Sequence, residues 1–203
     1  MGATITHSGP RGPQRRFAGP LFMPDGESAL YHHFVEFGKV DIGLKSVTAR
    51  DEAVRCYSWA VLSRIALEAI IAASPTGIVE IGAGNGYNAA LLAELGADVV
   101  AYDIAIPEDR WFDVEVGGPE VLAWHPDRTL LLSWPPYYTS MAAECLARHQ
   151  GPTLAYVGEG AGGCTAGPEF FDTLSADFGL VRRVSIPNWF GIHDCLEIHQ
   201  RAC

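Results

Sequence analysis

The stretch IVEIGAGNGYNAALLAELGADVVAYD, residues 78–103, reads as a strand, a glycine-rich turn, a helix and a second strand. IVEI is a short apolar run of strand length, and YNAALLAELG has helical composition closed by a glycine. Gly82 can turn without a Cβ clash, Gly84 lets the chain approach a bound molecule, and Gly86 permits close packing where the helix begins. The helix start also offers unpaired amides and the positive end of a dipole. Asp103 ends the second strand, where a carboxylate can accept hydrogen bonds from both hydroxyls of a ribose. A lone GxGxG says little. Strand, glycine loop, helix, strand and terminal acid in that order point to an adenosine-containing ligand.

Outward from this unit the alternation continues. A weak strand near Trp111–Val116 and a helix around Pro119–Trp124 lead to the strand TLLLS, residues 129–133. A helix over Ser140–His149, the strand TLAYVG and a helix over Pro168–Phe178 follow. The strands LVRRVSI and DCLEIHQ, separated by a turn rather than a helix, finish the chain and suggest an antiparallel edge. Short, near-continuously apolar strands between helices are what a mostly parallel sheet covered on both faces requires. Upstream, apolar residues from Val54 to Ile70 recur at helical spacing and predict one helix over Asp51–Ala73. A shorter helix around Ser28–Gly38 completes an N-terminal helical cap. The expected organisation is a flexible arm and cap over 1–46 and an α/β domain over 47–203.

The 203 residues suffice for one domain with a substantial core. A net charge of −10 argues against a chain wrapped on nucleic-acid phosphates, since each neutralised phosphate needs a Lys or Arg. The five scattered cysteines form no C-x-x-C pair, so reduced cytoplasmic thiols are the simpler reading. His193, Cys195 and His199 would share a strand face, but no fourth ligand has metal-site spacing, so no metal is expected. The N-terminus lacks the apolar region of a signal peptide, and no window reaches membrane-spanning length. It reads as a mobile Gly/Pro/Arg arm.

VEIGAGNGYNAALLAELGADVVAYD resembles the first motif of the class I S-adenosylmethionine-dependent methyltransferases. The resemblance implies a Rossmann-like, mostly parallel seven-stranded α/β sheet with an antiparallel C-terminal edge, and S-adenosyl-L-methionine as cofactor. It places Gly82, Gly84 and Gly86 under the methionine part, Glu80 near its amino group and Asp103 at the ribose. A nicotinamide dehydrogenase would more often show GxGxxG, and Glu80 would be an unwelcome neighbour for its phosphates. The adenine contact should follow the third strand, with Asp113 and Glu115 as candidates and Ile104 and Trp111 as flanks for the base. Upstream aromatics often close over the donor in such enzymes, which favours Tyr57 over Trp59 as a pocket residue.

The end of the fourth strand, SWPPY at 133–137, falls where an open α/β sheet binds its substrate. Amino-directed relatives commonly carry Asn, Asp or Ser, then Pro-Pro and an aromatic residue, with the polar group and a backbone carbonyl accepting from the amine. Here Trp134 stands in the polar position and Ser133 is displaced by one; an indole donates a hydrogen bond but does not accept one. Pro135 and Pro136 stiffen the loop and Tyr137 keeps the aromatic place. Glu159, in a glycine-rich loop after the fifth strand, and His193, in the last connection, are further candidates for orienting an acceptor or acting as general base. His32 and His33 compete with His193. Trp134, Tyr137, Trp189 and Phe190 would make the pocket partly aromatic. The expected activity is methyl transfer to N or O of a small molecule or short peptide, by a protein that is monomeric or a homodimer. The alternatives are a nucleic-acid amino-methyltransferase, recruiting Arg11, Arg15 and Arg16, and a non-catalytic S-adenosylmethionine-binding partner protein.

Overall fold

The computed structural model describes residues 15–16, 19–38 and 44–202; Arg11 and most of the expected arm lie outside the described residues. The strands are β1 (Arg15–Arg16), β2 (Ile78–Ile81), β3 (Val99–Asp103), β4 (Asp109–Arg110), β5 (Val114–Val116), β6 (Thr129–Ser133), β7 (Thr153–Gly158), β8 (Phe178–Ser185) and β9 (Cys195–Arg201). The α-helices are α1 (Ala29–His33), α2 (Leu44–Cys56), α3 (Arg64–Ala72), α4 (Tyr87–Glu94), α5 (Met141–Arg148) and α6 (Pro168–Asp177). A π-helical turn, Phe34–Gly38, follows α1, and Pro119–Trp124 is a 3-10 helix.

Seven strands form one sheet in the order β5-β3-β2-β6-β7-β9-β8, while β1 and β4 make a separate short parallel pair. The five strands from β5 to β7 run parallel, and β9 lies antiparallel between β7 and β8. Neighbouring residues of a strand point to opposite faces, and both faces here are covered. Ile78 and Leu131 therefore join a core with Leu30, Ile70, Leu92 and Ile198, whereas Val79, Leu130 and Leu132 join one with Leu146, Phe170 and Leu174. This two-sided burial is why IVEI, TLLLS and TLAYVG are apolar without alternation. Leu30 and Phe34 of the cap belong to the first of these cores.

β8 is the outermost strand beyond β9, and most of its residues are exposed. Its pairing with β9 shifts register between Leu180 and Arg182.

Two expectations are corrected. The helix over Asp51–Ala73 is two helices, because the chain leaves α2 after Cys56 and re-enters helix only at Arg64. Ser63 caps α3 by accepting from the Ala66 amide, and the Ser58 hydroxyl donates to the Ala60 carbonyl at 2.7 Å within the turn between them. Val61 and Leu62 in that turn are fully buried, so the apolar spacing continues across a break that it does not reveal. The strand near Trp111–Val116 shrinks to Val114–Val116. Trp111 instead turns back, its amide donating to the Asn85 carbonyl at 2.8 Å and its indole to the Cys56 carbonyl at 2.7 Å. Among the described residues, no helix is long and apolar enough to cross a membrane.

Candidate functional site

Two cavities open at the C-terminal ends of β2, β3 and β6. The first, about 260 Å³, is bordered by Arg55, Tyr57, Trp59, Glu80, Asn88 and Ser133 together with the glycine loop. The second, about 350 Å³, is bordered by Asp103, Ile104, Gly117, Gly118, Pro136 and Met141. Gly82 and Trp134 line both.

The glycine loop is shaped for close approach. Gly84 has φ +57, and a Cβ added there would meet nothing within 4 Å, so its bare backbone faces open space. Gly86 has φ +76, and a Cβ there would stand 2.7 Å from the Phe112 Cβ, so this position serves packing at the start of α4. Asp103 locks the loop: Oδ2 accepts from the Gly84 amide at 2.8 Å and Oδ1 from the Ala105 amide at 2.8 Å.

Glu80 is 1% exposed, and its Oε2 has no hydrogen-bond partner among the described residues. Burial pushes its pKa up to about 8, against the opposing pull of Asn88 and the Ala89 amide. Asn88, in the first turn of α4, donates from Nδ2 to Ser133 Oγ at 3.1 Å while its own Oδ1 is buried without a partner. Two buried side-chain oxygens without partners among the described residues thus belong to residues lining the first cavity, and Arg55, an exposed cation, stands at its border. This set suits a ligand that carries both an ammonium and a carboxylate.

Trp134 has φ +52, a left-handed conformation uncommon for a bulky residue. Its amide donates to the Val157 carbonyl at 2.8 Å, and its indole Nε1 donates to Asp194 Oδ2 at 2.6 Å. The ring stacks on Trp59 with centroids 4.6 Å apart and planes 11° from parallel. Asp194 is 4% exposed; burial raises its pKa to about 6, with the Trp134 hydrogen bond acting the other way. The two proline carbonyls of the loop are already engaged, Pro135 by the Ala166 amide and Pro136 by the Thr139 hydroxyl.

The structure brings together Glu80, Gly82, Gly84, Asp103, Tyr57 and Ser133 around the cavities, while Gly86 packs just beneath the loop. Asp113 and Glu115 do not line either cavity: Asp113 precedes β5, at the end of that strand away from the crevice, and both are exposed. Gly117, Gly118 and Pro119, just past the C-terminal end of β5, take the place expected of them, together with Ile104. Trp111 packs against Tyr57 and Tyr87 rather than in the second cavity.

Tyr137 also lies outside both linings and meets Tyr138 edge-on. Glu159 Oε2 accepts from the Cys164 amide at 2.8 Å and Oε1 from the His193 amide at 2.9 Å, which pins two loops together. Hydrogen bonds from Cys164, thiol first, hold its pKa below the usual carboxylate value. The His193 side chain is 85% exposed. His32 pairs with Asp25, and His33 Nε2 donates to the Ala49 carbonyl. Trp189 is core, its indole donating to the Trp59 carbonyl, and Phe190 is exposed outside both linings. Sequence reasoning missed Arg55 and Asn88, and it noted Asp194 beside His193 without giving it a role. Asn88 had a signal, being a polar residue in the first turn after the glycine loop; the others depend on contacts distant in sequence.

No family model matches the sequence, and no curated protein matches it. Among solved structures the chain is similar to the 1,6-didemethyltoxoflavin-N1-methyltransferase of Burkholderia thailandensis, which holds 1,6-didemethyltoxoflavin and S-adenosylhomocysteine. That match has TM-score 0.52 and 18% identity, covering 69% of this chain and 78% of the other. Magnesium protoporphyrin IX methyltransferase from Synechocystis, with bound SAH, matches at TM-score 0.51 and 11% identity, covering 85% and 94%. The likeness establishes the fold, a mostly parallel seven-stranded α/β sheet with antiparallel C-terminal strands.

Proposed function

We propose that this protein is an S-adenosylmethionine-dependent methyltransferase acting on an N or O atom of a small molecule or short peptide. One observation carries the reading: the cavity lined by Glu80, whose buried Oε2 has no partner among the described residues, shares Gly82 and Trp134 in its walls with the cavity bordered by Asp103. A ligand with an amino-acid end and a nucleoside end matches both halves. Glu80 and Asn88 would accept from its ammonium, Arg55 would pair with its carboxylate, and Asp103 would accept from ribose hydroxyls once aligned by Gly84. Tyr57 would close over the amino-acid half. S-adenosylmethionine would supply a methyl group already activated on a positively charged sulfur.

The chain's own contribution is alignment and exclusion of water, supplied by the rigid SWPPY segment and the aromatic side chains beside it. Ser133 is the polar group of that segment at the cavity. Tyr137, Glu159 and His193 would act indirectly, by holding the loops that carry Trp134 and Asp194. Trp134 replaces the polar side chain of the related amino-directed loops, and the Pro135 and Pro136 carbonyls each already accept one hydrogen bond, which weakens the case for nitrogen without selecting oxygen. The net charge of −10 favours a small molecule over nucleic acid as acceptor.

Calorimetric titration with S-adenosylmethionine and S-adenosylhomocysteine tests the cofactor assignment. Binding to the wild type and its loss in Asp103→Ala are expected. Unchanged affinity in that variant would sink the assignment.

A further inference from the structure

Resting on the cofactor reading above, we infer that Trp134 is a specificity-determining residue for donor charge. Its indole faces the sulfonium at the waist between the two cavities and favours the charged donor over uncharged S-adenosylhomocysteine. Asp194 is the positioning residue that fixes the ring.

The placement follows from the cavity walls. An amino-acid end held at Glu80 and Arg55 lies in the first cavity, and a ribose held at Asp103 lies at the second. The sulfur joins these two halves, so it belongs where the cavities meet. Among the described residues, Gly82 and Trp134 line both. Gly82 offers only backbone, so of these two shared lining residues Trp134 is the one with a side chain to present to the sulfur. An indole face attracts a nearby cation through its quadrupole, more strongly where water is excluded.

The ring is held with more connections than packing alone supplies. The left-handed backbone at Trp134, directly before Pro135, turns the residue out of β6, and its amide is tied to Val157. Trp59 covers one side of the indole in near-parallel stacking. The N–H edge is taken by Asp194, whose backbone is clamped in turn: its amide donates to Asn188 Oδ1, and Asn188 Nδ2 donates to its carbonyl at 3.1 Å. A carboxylate drawing on the indole proton also leaves the ring more electron-rich, which strengthens its pull on a cation. Residues held in sparsely populated backbone regions concentrate at ligand clamps, and Trp134 fits that pattern. The functional consequence is asymmetric retention: the cationic donor is held, and the neutral product left after methyl transfer is released more readily.

The test is calorimetric affinity for S-adenosylmethionine and S-adenosylhomocysteine in the wild type, Trp134→Leu, Trp134→Phe and Asp194→Asn. Trp134→Leu should weaken S-adenosylmethionine binding roughly tenfold while leaving S-adenosylhomocysteine within about twofold. Trp134→Phe should fall between, and Asp194→Asn should lower the ratio of the two affinities in the same direction. Equal weakening of both ligands, or an unchanged ratio in the phenylalanine and asparagine variants, overturns the inference even if Trp134→Leu does not fold. A wild type that binds neither ligand removes the cofactor reading itself, a separate outcome.

Discussion

Asn88 donates a hydrogen bond from the first turn of α4 to Ser133 at the end of β6, joining the glycine-loop side of the crevice to the SWPPY side. Removing either partner leaves the other a buried or half-buried polar group without its bond. Asn88→Ala, which also strips support from Glu80, should cost about 2 kcal/mol of stability, and Ser133→Ala about 1 kcal/mol. Denaturant titration should show lower midpoints at unchanged slope.

Glu80 should make binding of S-adenosylmethionine sensitive to pH. Its folded pKa lies near 8, above its ordinary 4.5, so the group favours the folded state while protonated. That contribution is complete below about 4.5 and is lost as pH rises through about 8. Unliganded protein should therefore lose stability across this window, and Glu80→Gln should flatten the profile. An ammonium placed against Glu80 would favour its ionised form. Binding of S-adenosylmethionine at pH 7 should accordingly release protons, measured as a dependence of calorimetric enthalpy on buffer ionisation enthalpy, and Glu80→Gln should abolish most of that release.

Arg55 should distinguish ligands by their amino-acid end. Arg55→Ala should weaken S-adenosylhomocysteine by roughly tenfold, the scale of one partly solvated charge-assisted contact. It should leave 5′-methylthioadenosine, which lacks the carboxylate, nearly unchanged. Equal losses for both compounds would remove the proposed role.

Glu159 should behave as a staple between loops. Its pKa is depressed, so its stabilisation is present above about 4.5 and fades as pH falls through its folded value. Glu159→Gln should destabilise the protein near neutrality by about 1–2 kcal/mol, as expected for weakened hydrogen bonds to a charged acceptor. The difference from wild type should shrink in acid, as read from thermal unfolding at a series of pH values.

The sheet was legible because its strands are buried on both faces and its glycines have local reasons to be glycine. Gly84 and Gly86 could be interpreted from their order between a strand and a helix, and Asp103 from its place at a strand end. The break after Cys56 was not legible, since Trp59, Val61 and Leu62 keep an apolar rhythm while serving a buried turn and a cavity wall. SWPPY could be located in the crevice from its position after β6. That Trp134 rather than Tyr137 would line the cavities depended on a left-handed backbone and on Asp194, which lies far along the chain. Asp113 was misplaced by a strand that begins three residues later than its apolar signal suggested.

The outer strand β8 bears on how the protein behaves in a crowded solution. An unpaired sheet edge is a template for another chain's strand. Here the edge carries Arg182 and Arg183 side by side, and the irregular step after Leu180 interrupts the flat ladder a visiting strand would need. Arg183 is paired with Glu197 on β9, so edge-to-edge association would set chiefly the Arg182 side chains of two copies near each other. The same irregularity that spoils the register of β8 with β9 should therefore disfavour edge-to-edge pairing at the side of the sheet farthest from β5.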